Sequence, residues 1–164
     1  MKRTTKTLLL IATHAGAVGA GVALGIYLLP ILIAPASPSS ESVRSAMAAA
    51  AFTGEFRRNL ADSDALHWGE GTLTISNDSI GFVGELAPGP DYRLYLSPVF
   101  VETEAAFAAN KAQMVQIAPI RTFENFLVAL PESVDPAAYS TAIVWCESFG
   151  QFISAAAYQP VEQN

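Results

Sequence analysis

Cys146 is the one cysteine in this 164-residue chain, and no side chain offers a wider range of chemistry. A thiol that has no partner in its own chain serves as core filling, as a link to another chain, as a metal ligand or as a redox group. Soft donors to join it are few: from residue 52 onward only His67 and Met114 qualify. A Cys146/His67 pair is therefore the one metal or haem site worth drawing, with Cys146 as the candidate redox residue and His67 as the candidate cofactor-binding side chain. Which cofactor, haem or a metal ion, the residues leave open.

Other familiar chemistry is missing. The chain holds no CxxC, HExxH, GxSxG or phosphate-loop spacing. The second histidine, His14, lies in a long apolar run, so one domain cannot assemble a His-rich metal site. A Ser-His-Asp arrangement built on His67 would single out no particular serine as nucleophile. The chain reads as a carrier or binding protein and not as an enzyme by itself.

Cys146 closes an apolar run, Thr141 to Glu147, whose alternation would put Ala142, Val144 and Cys146 on one face and Ile143 and Trp145 on the other. Past residue 50 the periodicity is mostly two, with turn residues at short intervals, which predicts strands. Gly71 to Ser76 and Ser79 to Leu86 flank Asn77-Asp78 and predict a hairpin, closed by Pro88-Gly89-Pro90. Further strands are expected over Tyr92 to Ser97, Met114 to Ile120, Phe123 to Leu130 and Phe149 to Ala156. Several runs are apolar on both faces, so the expectation is an all-β antiparallel sandwich with short helical insertions. Those insertions are an Ala-rich helix over Val43 to Phe52, capped by Ser42, a helix over Glu102 to Lys111, and one turn begun by Asp135-Pro136.

A membrane element precedes the domain. Lys2, Arg3 and Lys6 stand before an uncharged run from Thr7 to Ser40, and every carboxylate comes after it. Leu8 to Leu29 alone would rise about 33 Å as a helix, against a hydrocarbon core of about 30 Å. The charge bias keeps Met1 in the cytoplasm and exports the chain beyond Pro30, as a single-pass inner-membrane protein with a periplasmic domain. Ala34-Pro35-Ala36 resembles a signal-peptidase site, but the apolar run is longer than a secretory core needs, which favours an uncleaved signal anchor. The expected organisation is a basic tail (1–6), an anchor (7–33), a linker with the Ala-rich helix (34–51), the β domain (52–158) and a tail (159–164). Ala17, Gly21 and Gly25 form a small-residue stripe suited to a homodimer. After the anchor, six basic side chains stand against fifteen acidic ones, a balance of −9 that disfavours nucleic acid and anionic lipid.

Leu130-Pro131, Val134-Asp135, Tyr139, the Ala142 to Cys146 strand ending in Trp-Cys, and Phe149, Phe152 and Ala155-Ala156 resemble the C-terminal signature of the DM13 domain family. Gly54-Glu55-Phe56, His67 to Gly71 and Gly89-Pro90-Asp91 extend the resemblance over Phe52 to Tyr158. Glu124, Phe126 and Val128 depart from it, standing where the family usually carries Gly, Gln and Tyr. The resemblance implies a β-rich extracytoplasmic domain, often membrane-tethered or joined to cytochrome modules, that acts in electron transfer through its cysteine with a redox partner. The rival expectation is a non-catalytic binding or scaffolding domain that contacts an envelope protein and uses Cys146 as core filling.

Overall fold

The computed structural model describes residues 3–160; Met1 and Lys2 of the basic tail and residues 161–164 of the C-terminal tail lie outside them. Helix α1 (Arg3–Ile33) is long and apolar enough to cross a membrane. Pro30 falls inside it, and the helix continues to Ile33. Two polar side chains of α1 bond within the helix: Thr13 Oγ1 donates to Leu10 O at 2.9 Å and His14 Nδ1 to the same carbonyl at 2.7 Å. That local bond accounts for His14 without a cofactor. A Cβ added at Gly21 or Gly25 would meet nothing within 4 Å, so this stretch of the stripe is uncovered within one chain.

Helix α2 (Ser40–Ala46) begins earlier than the Ala-rich sequence predicts, because Ser39 and not Ser42 is the cap, with Ser39 Oγ accepting from Ser42 N at 3.1 Å. It also ends earlier. Alanines 48–51 have helix propensity but little apolar surface to bury, whereas Phe52 pairs with Ile75 and packs on Tyr158, so packing overrides propensity there. Val43 and Met47 of this segment press on Gly81, where a Cβ would lie 2.5 Å from Met47 Cγ.

The domain is a sandwich of two four-stranded antiparallel sheets. The first contains β1 (Phe52–Phe56), β2 (Gly69–Ile75), β3 (Ser79–Leu86) and β6 (Phe126–Ala129), in the order β1-β2-β3-β6. The second contains β4 (Tyr92–Ser97), β5 (Val115–Ile120), β7 (Thr141–Cys146) and β8 (Gln151–Ala157), in the order β5-β4-β7-β8. The predicted hairpin forms as Ile75 faces Ile80 and Ser76 N donates to Ser79 O at 2.9 Å, while Asp78 takes up the Ser76 and Ser79 hydroxyls. Leu73, Ile75, Ile80 and Phe82 pack between the sheets against Leu94, Leu96, Val144 and Ile153.

Helix α3 (Glu104–Asn110), capped by Thr103, covers the outer face of the second sheet. Its Phe107 stacks on Trp145 with centroids 3.8 Å apart and rings 5° from parallel. Every residue of β7 is consequently buried, which is why its sequence is apolar on both alternating faces. Asp135 opens the short 3-10 turn Pro136–Ala138 as predicted, accepting from Ala137 N at 2.9 Å.

Candidate functional site

Strand alternation in β7 sends Ala142, Val144 and Cys146 to the core between the sheets and Ile143 and Trp145 to the α3 side. Cys146 is the last residue of the strand, paired with Tyr92 at the start of β4. Its environment is built by two turns that lock together. In the first, Gly89-Pro90-Asp91, Asp91 takes the left-handed conformation at φ 54° and its carboxylate holds Arg93 Nη2 at 2.6 Å and Ser148 Oγ at 3.1 Å. In the second, after the strand, Gly150 at φ 63° lets its N–H return to Cys146 O at 2.9 Å, and Glu147 N donates to Asp91 O at 3.2 Å.

The result fixes the thiol. Cys146 Sγ donates to Pro90 O at 3.0 Å, and the residue is only 3% exposed. Burial pushes the thiol pKa up; the Phe149 and Ser148 backbone N–H groups act in the opposite direction, and the Asp91 and Glu147 carboxylates add to the rise. The balance keeps the sulfur protonated at neutral pH, in agreement with its role as donor to a carbonyl. Burial likewise raises the Tyr92 hydroxyl, which donates to Ala87 O at 2.9 Å.

His67 is held by Asp64, whose Oδ1 accepts from Leu66 N at 2.7 Å and His67 N at 2.8 Å and whose Oδ2 takes His67 Nδ1 at 3.0 Å. The same bonds lower the Asp64 carboxyl, the His67 side-chain bond most of all. Next to it, Arg58 lies over the Trp68 ring at 3.2 Å and pairs with Glu70 at 2.6 Å.

His67 and Cys146 line one cavity of about 400 Å³, together with Tyr92, Phe149 and the α1 residues Ile26 and Tyr27. No hydrogen bond joins the two candidate side chains, and Met114 lies on the opposite face of the second sheet, packed in the cluster that holds Trp145. As a metal site the donor set is thin: one protonated thiol already engaged by Pro90 and one imidazole. Among the described residues no group of three or more His, Cys, Asp or Glu side chains is placed to hold an ion. A metal or haem iron here would need the thiol to lose its proton and its bond to Pro90, and further ligands to come from elsewhere.

The structure places Cys146 and His67, the two side chains drawn together from sequence, at one cavity, and the thiol points into the core as the alternation predicts. Sequence reasoning took Pro88-Gly89-Pro90 as a hairpin end and Gly89-Pro90-Asp91 as a family element, and it missed Pro90 O as the thiol's acceptor and Asp91 as the brace of both turns. The proline and glycines of these turns gave a signal for bends, but only the β4–β7 register brings the two together.

The protein is thus a mostly β domain joined to a long apolar helix, with its single thiol buried at the end of a central strand, beside a cavity. The chain belongs to the DM13 family: the family described as electron transfer DM13 matches residues 56–158. The match includes His67, the Gly89-Pro90-Asp91 turn and the Trp145-Cys146 strand end. No curated protein and no solved structure matches the chain.

Proposed function

We propose that the chain is a single-pass inner-membrane protein whose DM13 domain stands on the periplasmic side and exchanges electrons through Cys146, with His67 as its neighbour at the same cavity. The observation that carries this reading is that the only thiol of an electron-transfer family member and the only imidazole of its β domain line one largely apolar cavity. The topology rests on the cations Lys2, Arg3 and Lys6 at the start of the chain, ahead of the uncharged run, and on the acidic character of the chain beyond α1. The balanced oxidation of a lone, protonated thiol is to a sulfenic acid: the sulfur takes the oxygen of a water molecule and releases two electrons, to a redox partner, with two protons. The midpoint potential is then expected to fall by about 59 mV per pH unit below the thiol pKa, as for any couple that moves equal numbers of protons and electrons.

A second reading also has an observation behind it. The Sγ bond to Pro90 O and the 3% exposure of Cys146 suit a core-filling residue in a binding domain that contacts another envelope protein. The two part in a redox titration of the full chain in its native membrane, poised between about −400 and +300 mV to span protein disulfides and many metal centres. Thiol state is read by alkylation after quenching, then by mass spectrometry. The electron-transfer reading expects reversible oxidation of Cys146 with the stated pH slope, and a midpoint displaced in His67→Ala. A Cys146 thiol unchanged throughout the window, with no metal or haem present, overturns it and leaves the core-filling reading.

A further inference from the structure

We propose that the cavity shared by Cys146 and His67 binds the ring of a lipid-soluble quinone, which enters from the bilayer alongside α1. The inference rests on the membrane placement of α1 proposed above. Only six residues, Ala34 to Ser39, separate α1 from α2. Fully extended they would reach about 20 Å, and they are not free to extend, because Asn125 Nδ2 donates to Pro38 O at 3.0 Å and to Ser40 Oγ at 3.1 Å. The domain is therefore held against the end of its own anchor. The end it presents is the one that carries the cavity, whose wall on that side is Ala23, Ile26 and Tyr27. Tyr27 and Ala23 lie about 9 and 15 Å along the helix axis before Ile33, inside the apolar run and not beyond it.

The rim faces the same way. Among the large apolar side chains that the β domain exposes, Leu66 at 58% and Phe149 at 55% are the most exposed, and both line this cavity. In an aqueous setting two such side chains at one end of an acidic domain would be costly; beside a membrane helix they lie against lipid.

The lining also selects the ligand. It contains no Lys, Arg, Asp or Glu, which disfavours phosphate headgroups, carboxylates and cations alike. Its volume of about 400 Å³ falls within the range of small-molecule sites, roughly 300 to 1,000 Å³, which typically pair apolar walls with a few polar groups. Here those groups are the His67 imidazole, the Gln151 amide and the Tyr27 hydroxyl, the Tyr92 hydroxyl and the Cys146 thiol being engaged by Ala87 O and Pro90 O. With Nδ1 committed to Asp64, His67 has Nε2 left to meet a ring oxygen. A neutral, flat ring with two oxygens and an apolar tail lying along α1 satisfies each of these features.

The test uses the full chain in lipid nanodiscs, with incorporation of α1 checked by co-purification with the discs. Decylubiquinone serves as the probe, because its fully substituted ring does not add to thiols. Uptake above that of empty discs should saturate at one molecule per chain. Ala23→Trp, which fills the cavity from the helix, and Leu66→Glu, which charges its rim, should each weaken binding at least tenfold with the β spectrum retained. Leu127→Glu, outside the cavity, should leave it unchanged. Absence of excess uptake by the wild-type chain, or wild-type affinity in Ala23→Trp, overturns the inference. Displacement by decanol, which has the tail without the ring, also overturns it by showing a general acyl slot. Reversible Cys146 oxidation without decylubiquinone uptake removes this inference alone; uptake without Cys146 oxidation removes the redox reading alone.

Discussion

Gly89→Ala tests how the first turn holds the thiol. A Cβ on Gly89 would lie 2.3 Å from Tyr92 Oη and 2.7 Å from its Cζ. The ring has little room to retreat: Tyr92 is 2% exposed, meets Phe123 edge-on with centroids 6.0 Å apart, and donates to Ala87 O. Either the ring or the Gly89-Pro90 backbone must shift. Overpacking of this kind costs about 1 to 3 kcal/mol, and loss of the buried hydroxyl bond adds about 1 kcal/mol. At roughly 4 to 8 °C per kcal/mol for a domain of this size, the melting temperature should fall by about 8 to 32 °C. Because Pro90 O accepts from Cys146 Sγ, the same shift should speed labelling of the thiol by maleimide in the folded state. Tyr92→Phe removes the 2.3 Å contact but leaves ring carbons at 2.7 and 2.8 Å, so relief in the double variant is partial. The double variant should be less destabilised than the sum of the singles by about 0.5 kcal/mol or more. Urea unfolding of the four proteins, monitored by tryptophan fluorescence, measures both quantities. A Gly89→Ala protein within about 0.5 kcal/mol of wild type, or strictly additive effects, would refute the packing argument.

Two further outcomes concern Glu147 and the membrane topology. Burial works to raise the Glu147 carboxyl, but the Tyr95 hydroxyl, the Lys111 ammonium and Arg93 outweigh it and leave the pKa below its ordinary 4.5. Glu147 therefore stabilises the fold fully above that ordinary value and ceases to do so as pH falls through the lower folded value, so the stability gap between wild type and Glu147→Gln should narrow between about pH 5 and pH 3; a gap constant over that range would contradict the assignment. For topology, a phosphatase reporter fused after Asn164 should be active and the mature chain should keep its N-terminus, whereas a mature N-terminus near Ser37 would replace the anchor with a cleaved leader.

The β sandwich was legible because its strands obey the simplest rule of sheets. Ser79–Leu86 and Tyr92–Ser97 appear with the bounds their alternation and flanking turn residues predict, and Asn77-Asp78 marks its hairpin. β1 was not predicted as a strand. Phe52–Phe56 is short, contains Gly54, and comes after an Ala-rich stretch that favours helix, so nothing local marks it; its strand character comes from pairing with β2 and from the contact of Phe52 with Tyr158. The strand predicted over Phe123 to Leu130 failed in the opposite direction at its start. The backbone of Phe123 to Asn125 serves other partners, with Leu86 N donating to Phe123 O and Thr122 Oγ1 to Asn125 O, so β6 starts only at Phe126.

The site shows where reading along a chain stops. Direction was available: period two in β7 points Cys146 into the core, and it does so. Environment was not, because the burial that most raises the thiol comes from segments far apart in sequence, as do the main-chain groups that meet it, Pro90 O on one side and the Ser148 and Phe149 N–H groups on the other. Their opposition has a chemical consequence. Burial is the largest influence and favours the protonated sulfur, the Pro90 carbonyl acts in the same sense by accepting its proton, and the two amide donors favour the anion and stand ready once the proton leaves. Any movement of the Gly89-Pro90-Asp91 turn that withdraws the carbonyl without disturbing the second turn would lower the thiol pKa and make the sulfur easier to oxidise. Gly89 and Pro90 also wall the cavity beside α1, so the quinone proposed for that cavity would sit against the segment that holds the thiol.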